Sequence, residues 1–265
     1  MEQLEGQIAS AKIGMARLSS PQLYYVLSGN DFTLDVNNVS EPKIVCMGNN
    51  PQKQQIYGAV LSLYISRVIK LVNQKKQQKC SLIFDEFPTI YFNGIDGLIA
   101  TARANKVATC LAVQDYSQLK KDYGRDQAEV IMNIVGNVIS GQVVGETARL
   151  LSERFGKIVQ ERESISINSG DTSVSRSTQL DSAIPASRIA ALSSGEFVGT
   201  VADDPEQKID LKVFHAEILN NHSEIRQEED HYKPIRRVRS ITPYEIQENY
   251  FRIKKDIMEI IENQI

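Results

Sequence analysis

The stretch Cys80-Ser-Leu-Ile-Phe-Asp85-Glu86 decides how this chain is read. A short apolar run entered from the polar, basic residues 74–79 is expected to be a strand covered by helices on both faces, and here it ends in two adjacent carboxylates. Downstream, residues 95–105 have the pattern of a crossover helix, and residues 107–113 form a second apolar run that ends in Gln114. Upstream, residues 44–47 read as another strand, Gly48-Asn49-Asn50-Pro51 as a turn with a capping residue and a first-turn proline, and the helix that follows carries Tyr57, Leu61, Tyr64, Val68 and Leu71 on one stripe. That helix should stop near Asn73. Short apolar runs alternating with helical patterns predict parallel strands joined by right-handed crossovers, whose carboxyl ends open on one edge. Asp85, Glu86 and Gln114 are therefore expected to line one crevice.

Further along, helices are expected over residues 128–134, 146–155 with a stop at Gly156, and 185–192. A short apolar run covers 138–140. Residues 168–178, rich in Ser, Gly and Thr, read as a mobile loop. Strands are expected over 196–202 and 208–214, turned by Asp203-Asp204-Pro205 so that they pair antiparallel. After His222 the chain is strongly charged to Arg239, and residues 242–265 have the pattern of an amphipathic helix.

Composition bounds the answer without choosing a function. The 265 residues, 42% apolar and 24% charged, suffice for one sizeable core with a second small unit possible. Residues 56–72 are broken by Ser62, Ser66, Arg67 and Lys70, short of the roughly 20 apolar residues of a bilayer span, so no membrane helix or signal peptide is expected. A formal net charge of −3 gives no global drive toward nucleic acid, although a local basic face is compatible with it. Cys46, Cys80 and Cys110 are too few and too dispersed for a disulfide scaffold, and each sits in an apolar run that predicts a small buried hydrophobe. His215, His222 and His231 have no carboxylate or cysteine at ligand spacing and are assigned no metal.

The string ending in Asp85-Glu86 fits the Walker B pattern. Asp85 would hold magnesium through its water shell and Glu86 would orient or polarise an attacking water, although apolar residues before Asp-Glu also end plain strand-to-loop turns. Gln114, ending the neighbouring strand, suits sensing a terminal phosphate beside Glu86; its plain alternative is a surface glutamine. Arg103, 18 residues after Asp85, can neutralise charge on a transferring phosphoryl group in cis or from a neighbouring subunit, or can be a solvated helix-end arginine. The companion motif G-x-x-x-x-G-K-S/T does not occur. Its nearest spacing, Gly136-Asn-Val-Ile-Ser-Gly141, is followed by Gln142, and there is no dinucleotide glycine fingerprint. By itself the chain is therefore expected to bind ATP negligibly and to be inactive as an ATPase.

Several longer strings carry a resemblance. Ser20-Pro-Gln-Leu-Tyr-Tyr-Val-Leu-Ser-Gly29 with Asp31-Phe-Thr-Leu-Asp35, Ser81-Leu-Ile-Phe-Asp-Glu-Phe-Pro88, Thr101-Ala-Arg-Ala-Asn-Lys106, Leu111-Ala-Val-Gln114, Ser117-Gln118-Leu119 and Gly141-Gln-Val-Val-Gly-Glu-Thr-Ala148 together resemble the TraG-type coupling proteins of conjugation and mobilisation systems, relatives of the FtsK and HerA motor ATPases, over residues 18–218. The resemblance implies an α/β, RecA-like P-loop NTPase core with a mostly parallel sheet flanked by helices, and a helical C-terminal tail. It divides the chain into a lead-in segment (1–40), a partial motor domain (41–222) and a charged linker with a C-terminal helix (223–265).

By the same resemblance Asp85 and Glu86 are the Walker B pair that meets ATP and Mg2+, Gln114 the sensor, and Arg103 an arginine finger reaching a neighbour's nucleotide in a hexameric ring. Ala102 stands where the family pattern often has glycine before that arginine. Implied partners are single-stranded DNA, a relaxase and the type IV secretion channel, at the cytoplasmic face of the bacterial inner membrane. Family members also carry a membrane anchor, a Walker A loop and an all-helical insertion, none of them visible here, which implies a C-terminal piece. The alternative is a non-catalytic module docking relaxase or channel components through the charged tail, where Arg226, Lys233, Arg236, Arg237 and Arg239 alternate with Glu228, Glu229 and Asp230.

Overall fold

A computed structural model describes residues 2–16, 18–168, 171–203, 206–210, 212–234 and 239–264. Helix α1 (Glu2–Ala16) precedes α2 (Pro21–Leu27), which Ser20 caps by accepting from the Leu23 amide. Neither was expected as a helix. A long irregular segment then leads through a single turn at Pro51–Lys53, capped by Asn50, into α3 (Gln54–Val72). The expected strand at 44–47 is not formed: among the described residues no ladder pairs with it, and Ile44 is 96% exposed. Within α3 the buried positions are Val60, Leu61, Ile65, Val68 and Val72, so the core stripe is rotated from the expected one and shares only Leu61 and Val68 with it.

Strand β1 (Cys80–Phe84), helix α4 (Ile95–Ala102) and strand β2 (Val107–Leu111) form the expected parallel crossover unit, with Cys80 opposite Val107 and Phe84 opposite Leu111. Then come α5 (Tyr116–Tyr123), α6 (Arg125–Ile134), β3 (Val138–Ser140) and α7 (Gly145–Phe155), which ends at Gly156 with φ 81° as expected. Arg154 of α7 donates from both guanidinium nitrogens to the Met132 and Val135 carbonyls at the end of α6. Partial burial lowers its pKa without removing its charge.

Strands β4 (Lys157–Asn168) and β5 (Asp171–Ser182) pair antiparallel, so the loop expected at 168–178 is instead a hairpin. The ladder, from Lys157 opposite Ser182 to Asn168 opposite Asp171, pairs backbone with backbone and so forms from a run of low apolar content. Ser169 and Gly170 lie outside the described residues. Helix α8 (Ala186–Ala190) precedes β6 (Glu196–Thr200) and β7 (Val213–Glu217), which pair antiparallel as expected although β7 starts later than expected. Asp204 and Pro205 of the expected turn lie outside the described residues. The charged segment forms helix α9 (His222–Asp230), with Arg236 and Arg237 outside the description, and α10 (Pro243–Glu262) opens on a Thr242–Glu245 capping box.

The expected α/β class and helical tail are present. Parallel pairing joins β1 to β2, whereas a second sheet runs β3-β6-β7 antiparallel. One core gathers α3, α4, α5 and α6 against β1 and β2, and a smaller one gathers α7, α8 and β6 around Ile189 and Val198. Only one face of the β1–β2 pair is covered. Burial alternates along both strands, and Ile83 is 74% exposed, contrary to the expectation of helices on both faces. For the same reason Cys110 is exposed rather than buried, and Cys46 is exposed because its segment joins no sheet. No helix among the described residues is long and apolar enough to cross a membrane.

Candidate functional site

Strand β1 delivers Asp85 and Glu86 at its carboxyl end, and a sharp change of backbone direction keeps them there. Glu86 is left-handed, with φ 49° and ψ 49°, a conformation that costs a non-glycine residue about 1–2 kcal/mol. Two features offset that cost. The Phe87 amide donates to the Ala112 carbonyl at 2.8 Å while the Ala112 amide donates to Phe84 at 2.9 Å, so the turn is locked onto β2. Phe87 itself is 2% exposed and stacks on Tyr123 with ring centroids 4.7 Å apart, among Phe84 and Phe92. Pro88 follows in the first turn of a short helix at Phe87–Thr89. The Tyr123 hydroxyl donates to the Ile90 carbonyl at 2.6 Å, and burial raises its pKa, so it stays a neutral donor.

Two residues past the carbonyl that holds Phe87, Gln114 extends toward the same spot. Its Nε2 donates to Glu86 Oε1 at 3.2 Å, which is the juxtaposition expected from the parallel register. Asp85, Glu86 and Gln114 are all exposed. They stand on an open rim; the large cleft of the molecule is lined by other residues. Asp85 has no hydrogen-bond or ion-pair partner among the described residues, which leaves its carboxylate available.

The residue after Gln114 was missed in the sequence. Asp115 accepts from the Ser117 amide at 2.7 Å and from the Ser117 hydroxyl, and Thr147 of α7 donates to it at 2.9 Å. Partial burial pushes its pKa up, but these hydrogen bonds outweigh burial and hold the carboxyl below its ordinary value. It thereby fixes the start of α5 and the place of Gln114. An Asp two residues before a Ser at a strand-to-helix turn was the available signal. Lys120 adds a 2.7 Å ion pair to Glu146, tying α5 to α7.

Arg103 is not brought to this rim. It lies in the turn Arg103–Asn105 before β2 begins, whereas Glu86 follows the end of β1. Because β1 and β2 are parallel, the two residues sit at opposite edges of the sheet, separated by a five-residue strand, roughly 16 Å at about 3.3 Å per residue.

Two adjacent exposed carboxylates, one of them unengaged, with an amide beside them, are a donor set that suits magnesium held largely through water. The residues present thus fit the metal side of a phosphoryl-transfer site. No group of three or more His, Cys, Asp or Glu placed to hold a metal directly occurs among the described residues.

Comparison with known proteins adds an independent line. A family model described as Type IV secretory system Conjugative DNA transfer matches residues 2–184. A search of the curated proteins found no match. Among solved structures, the plasmid coupling protein TrwB in complex with the non-hydrolysable GTP analogue GDPNP superposes with a TM-score of 0.61 at 11% identity, over 82% of this chain and 50% of that one. TrwB in complex with ADP and Mg2+ gives a TM-score of 0.59 at 12% identity, over 82% and 49%. At such identity the likeness establishes the P-loop NTPase fold, and the chain spans about half the length of these structures.

Proposed function

The chain belongs to the type IV secretory system conjugative DNA-transfer family, and from that premise we propose that its Asp85–Glu86–Gln114 rim is the hydrolytic side of an ATP-driven motor site. The observation that carries the reading is the pairing of Glu86 with Gln114 at 3.2 Å at the carboxyl edge of two parallel strands. Glu86 accepts a proton from, or orients, the water that attacks the terminal phosphate, while Gln114 holds the carboxylate in place and senses that phosphate. Asp85 holds the water shell of Mg2+, which when bound supplies charge neutralisation to the phosphates.

Arg103, at the far edge of the sheet, serves a nucleotide only across a boundary between copies, as in a hexameric ring. In the whole protein, hydrolysis at such boundaries delivers single-stranded DNA with its bound relaxase to a secretion channel at the cytoplasmic face of the inner membrane. Glu86→Gln in the whole protein tests this. Conjugative transfer should be lost while nucleotide binding persists; normal transfer frequency would reject the role.

One observation favours a second reading, a docking module for relaxase or channel components. Helices α9 and α10 bury no residue, and α10 exposes Ile253, Ile257, Ile260 and Ile261 on a charged helix. Capture of partner proteins with and without residues 223–265 separates the two, since unchanged capture removes the tail from consideration.

A further inference from the structure

The chain is acidic overall, with a formal net charge of −3, yet its sequence holds two long stretches without a carboxylate side chain. Residues 42–84 contain Lys and Arg but no Asp or Glu, and the same is true of residues 97–114. The fold joins these stretches at the amino edge of β1 and β2. Lys79 and Lys106 each stand just before the first paired residues, Cys80 opposite Val107, and the Cys80 amide donates to the Lys106 carbonyl at 3.2 Å. Adjacent strands lie about 4.8 Å apart, so the two lysines are neighbours. Asn73, at the end of α3, donates to Thr101 Oγ1 at 2.7 Å and accepts from Asn105 at 2.6 Å. Those two bonds tie the loop over 74–79 to the turn Arg103–Asn105.

One exposed surface therefore carries Lys75, Lys76, Lys79, Arg103 and Lys106. None of the five has an ion-pair partner among the described residues. Elsewhere cations sit opposite acids, as in Lys120–Glu146, Arg125–Glu129, Arg149–Glu153 and Lys255–Glu259. The backbone adds an independent mark. Lys76 and Lys106 are left-handed, with φ 65° and 58°, and apart from Glu86 they are the only non-glycine described residues with positive φ. Glycine or asparagine takes that conformation more easily, so each lysine is held there against local preference. Strain of this kind gathers at sites that bind or react.

We propose that this amino edge grips the phosphate backbone of single-stranded DNA, at the end of the sheet opposite the Asp85–Glu86–Gln114 rim. Lysine ammonium groups neutralise phosphates as point charges without reading sequence, and the interleaved amides of Gln74, Gln77 and Gln78 supply neutral donors. Residues 73–79 and 103–106 include no large apolar side chain, so the surface lacks the apolar face with which a membrane-surface element enters the headgroup layer. DNA and nucleotide then sit at opposite ends of the same two strands, roughly 16 Å apart. The proposal takes its partner from the DNA-transfer reading and owes nothing to the chemistry of the rim.

Fluorescence anisotropy of the 265-residue chain with a labelled oligodeoxythymidine of about 16 nucleotides, in the absence of ATP, tests it. Each neutralised phosphate of a single strand contributes about 0.7 to the slope of log K against log salt. Four lysines give a slope of about −3, and affinity should fall about 50-fold between about 50 and 200 mM salt. Lys76→Asn with Lys106→Asn removes two charges where the backbone suits asparagine. At about 0.1 M salt this variant should bind about 25-fold more weakly, with a slope shallower by about 1.4, while its thermal unfolding temperature holds or rises. Arg103 is left in place because its proposed reach to a neighbour's nucleotide is a separate role. Lys254→Gln with Lys255→Gln, an equal charge change on α10, should leave binding as it was.

A salt-insensitive affinity, or an equal loss in the α10 variant, overturns the proposal. So does a lower unfolding temperature in the asparagine variant that accompanies its loss of binding, which would make the lysines structural. Binding to vesicles of anionic phosphatidylglycerol without binding to the oligonucleotide would make the edge a lipid contact. Competition by inorganic tripolyphosphate as strong as that of unlabelled oligonucleotide would make it a short-anion site, and either result also overturns it. Failure here leaves the hydrolytic role of Glu86 standing, and the reverse holds, because no nucleotide enters this assay.

Discussion

Replacing Phe87 by alanine tests how the carboxylate turn is held. The ring is 2% exposed, stacked on Tyr123 at 4.7 Å and edge-on to Phe92 at 5.7 Å. Burying a ring of roughly 150–250 Å² at about 25 cal/mol per Å² is worth about 4–6 kcal/mol. Measured Phe→Ala losses of about 3–5 kcal/mol reflect partial collapse of the hole, so about 4 kcal/mol is expected here. With a urea slope of about 3 kcal/mol per M, suited to a chain of this size, the unfolding midpoint should fall by about 1.3 M. Circular dichroism through a urea titration reads it, since the chain has no tryptophan. Phe87→Leu, which keeps most of the volume, should cost only about 1.5 kcal/mol. If Phe87→Ala costs less than about 1 kcal/mol, the aromatic cluster does not anchor the turn, and Glu86 would need another explanation for its left-handed backbone.

Three further outcomes follow from the geometry. Asn37, 2% exposed, donates to the Val72 and Gln78 carbonyls at 3.0 and 3.1 Å, but its own Oδ1 is buried without a partner among the described residues. Asn37→Ala therefore loses two bonds and removes one orphan, for a net cost of about 1–2 kcal/mol by urea unfolding; no change would show that the lead-in segment is not tied to α3. Hydrogen bonds from Asn38 and Thr33 hold the Asp35 carboxyl at about 2. With its folded pKa depressed, Asp35 supports the structure at pH values above the ordinary carboxylate range and loses that support as pH falls toward 2. Carboxyl NMR should give a midpoint near 2 that rises in Asn38→Ala, and an ordinary midpoint would contradict the local network. Finally, calorimetric titration of the chain alone with ATP should show negligible heat, and micromolar binding would contradict the need for a phosphate loop.

What the sequence revealed depended on how local the cause was. Strand β1 was legible because a short apolar run with a polar approach marks a strand, and its end then places Asp85 and Glu86. The stop of α7 at Gly156 and the start of α10 at Thr242 were legible because a positive φ and a capping side chain are written in single residues. The pairing of Gln114 with Glu86 followed from parallel register alone.

What failed was set by partners far away in the chain. Residues 44–47 look like a strand, yet among the described residues no strand pairs with them, so local propensity is not realised. Helix α3 carries apolar residues outside its buried stripe as well, and the core that gathers Ile65, Val68 and Val72 with Phe92 and Leu98 decides which side is buried. Cys110 and Ile83 read as buried because an apolar run does not say which of its two faces has a helix on it. Asp115 escaped notice because its role comes from Thr147, 32 residues on. Arg103 was expected near the end of a helix over 95–105 but lies in the turn just past α4, and its distance from Glu86 became plain only from the strand direction.

The rim's assigned chemistry is tested most directly by single-turnover ATP hydrolysis in the whole coupling protein with Glu86→Gln. The rate should fall by about 10²–10⁴-fold with nucleotide affinity unchanged. An unchanged rate would show that the carboxylate beside Gln114 takes no part in cleaving the phosphate.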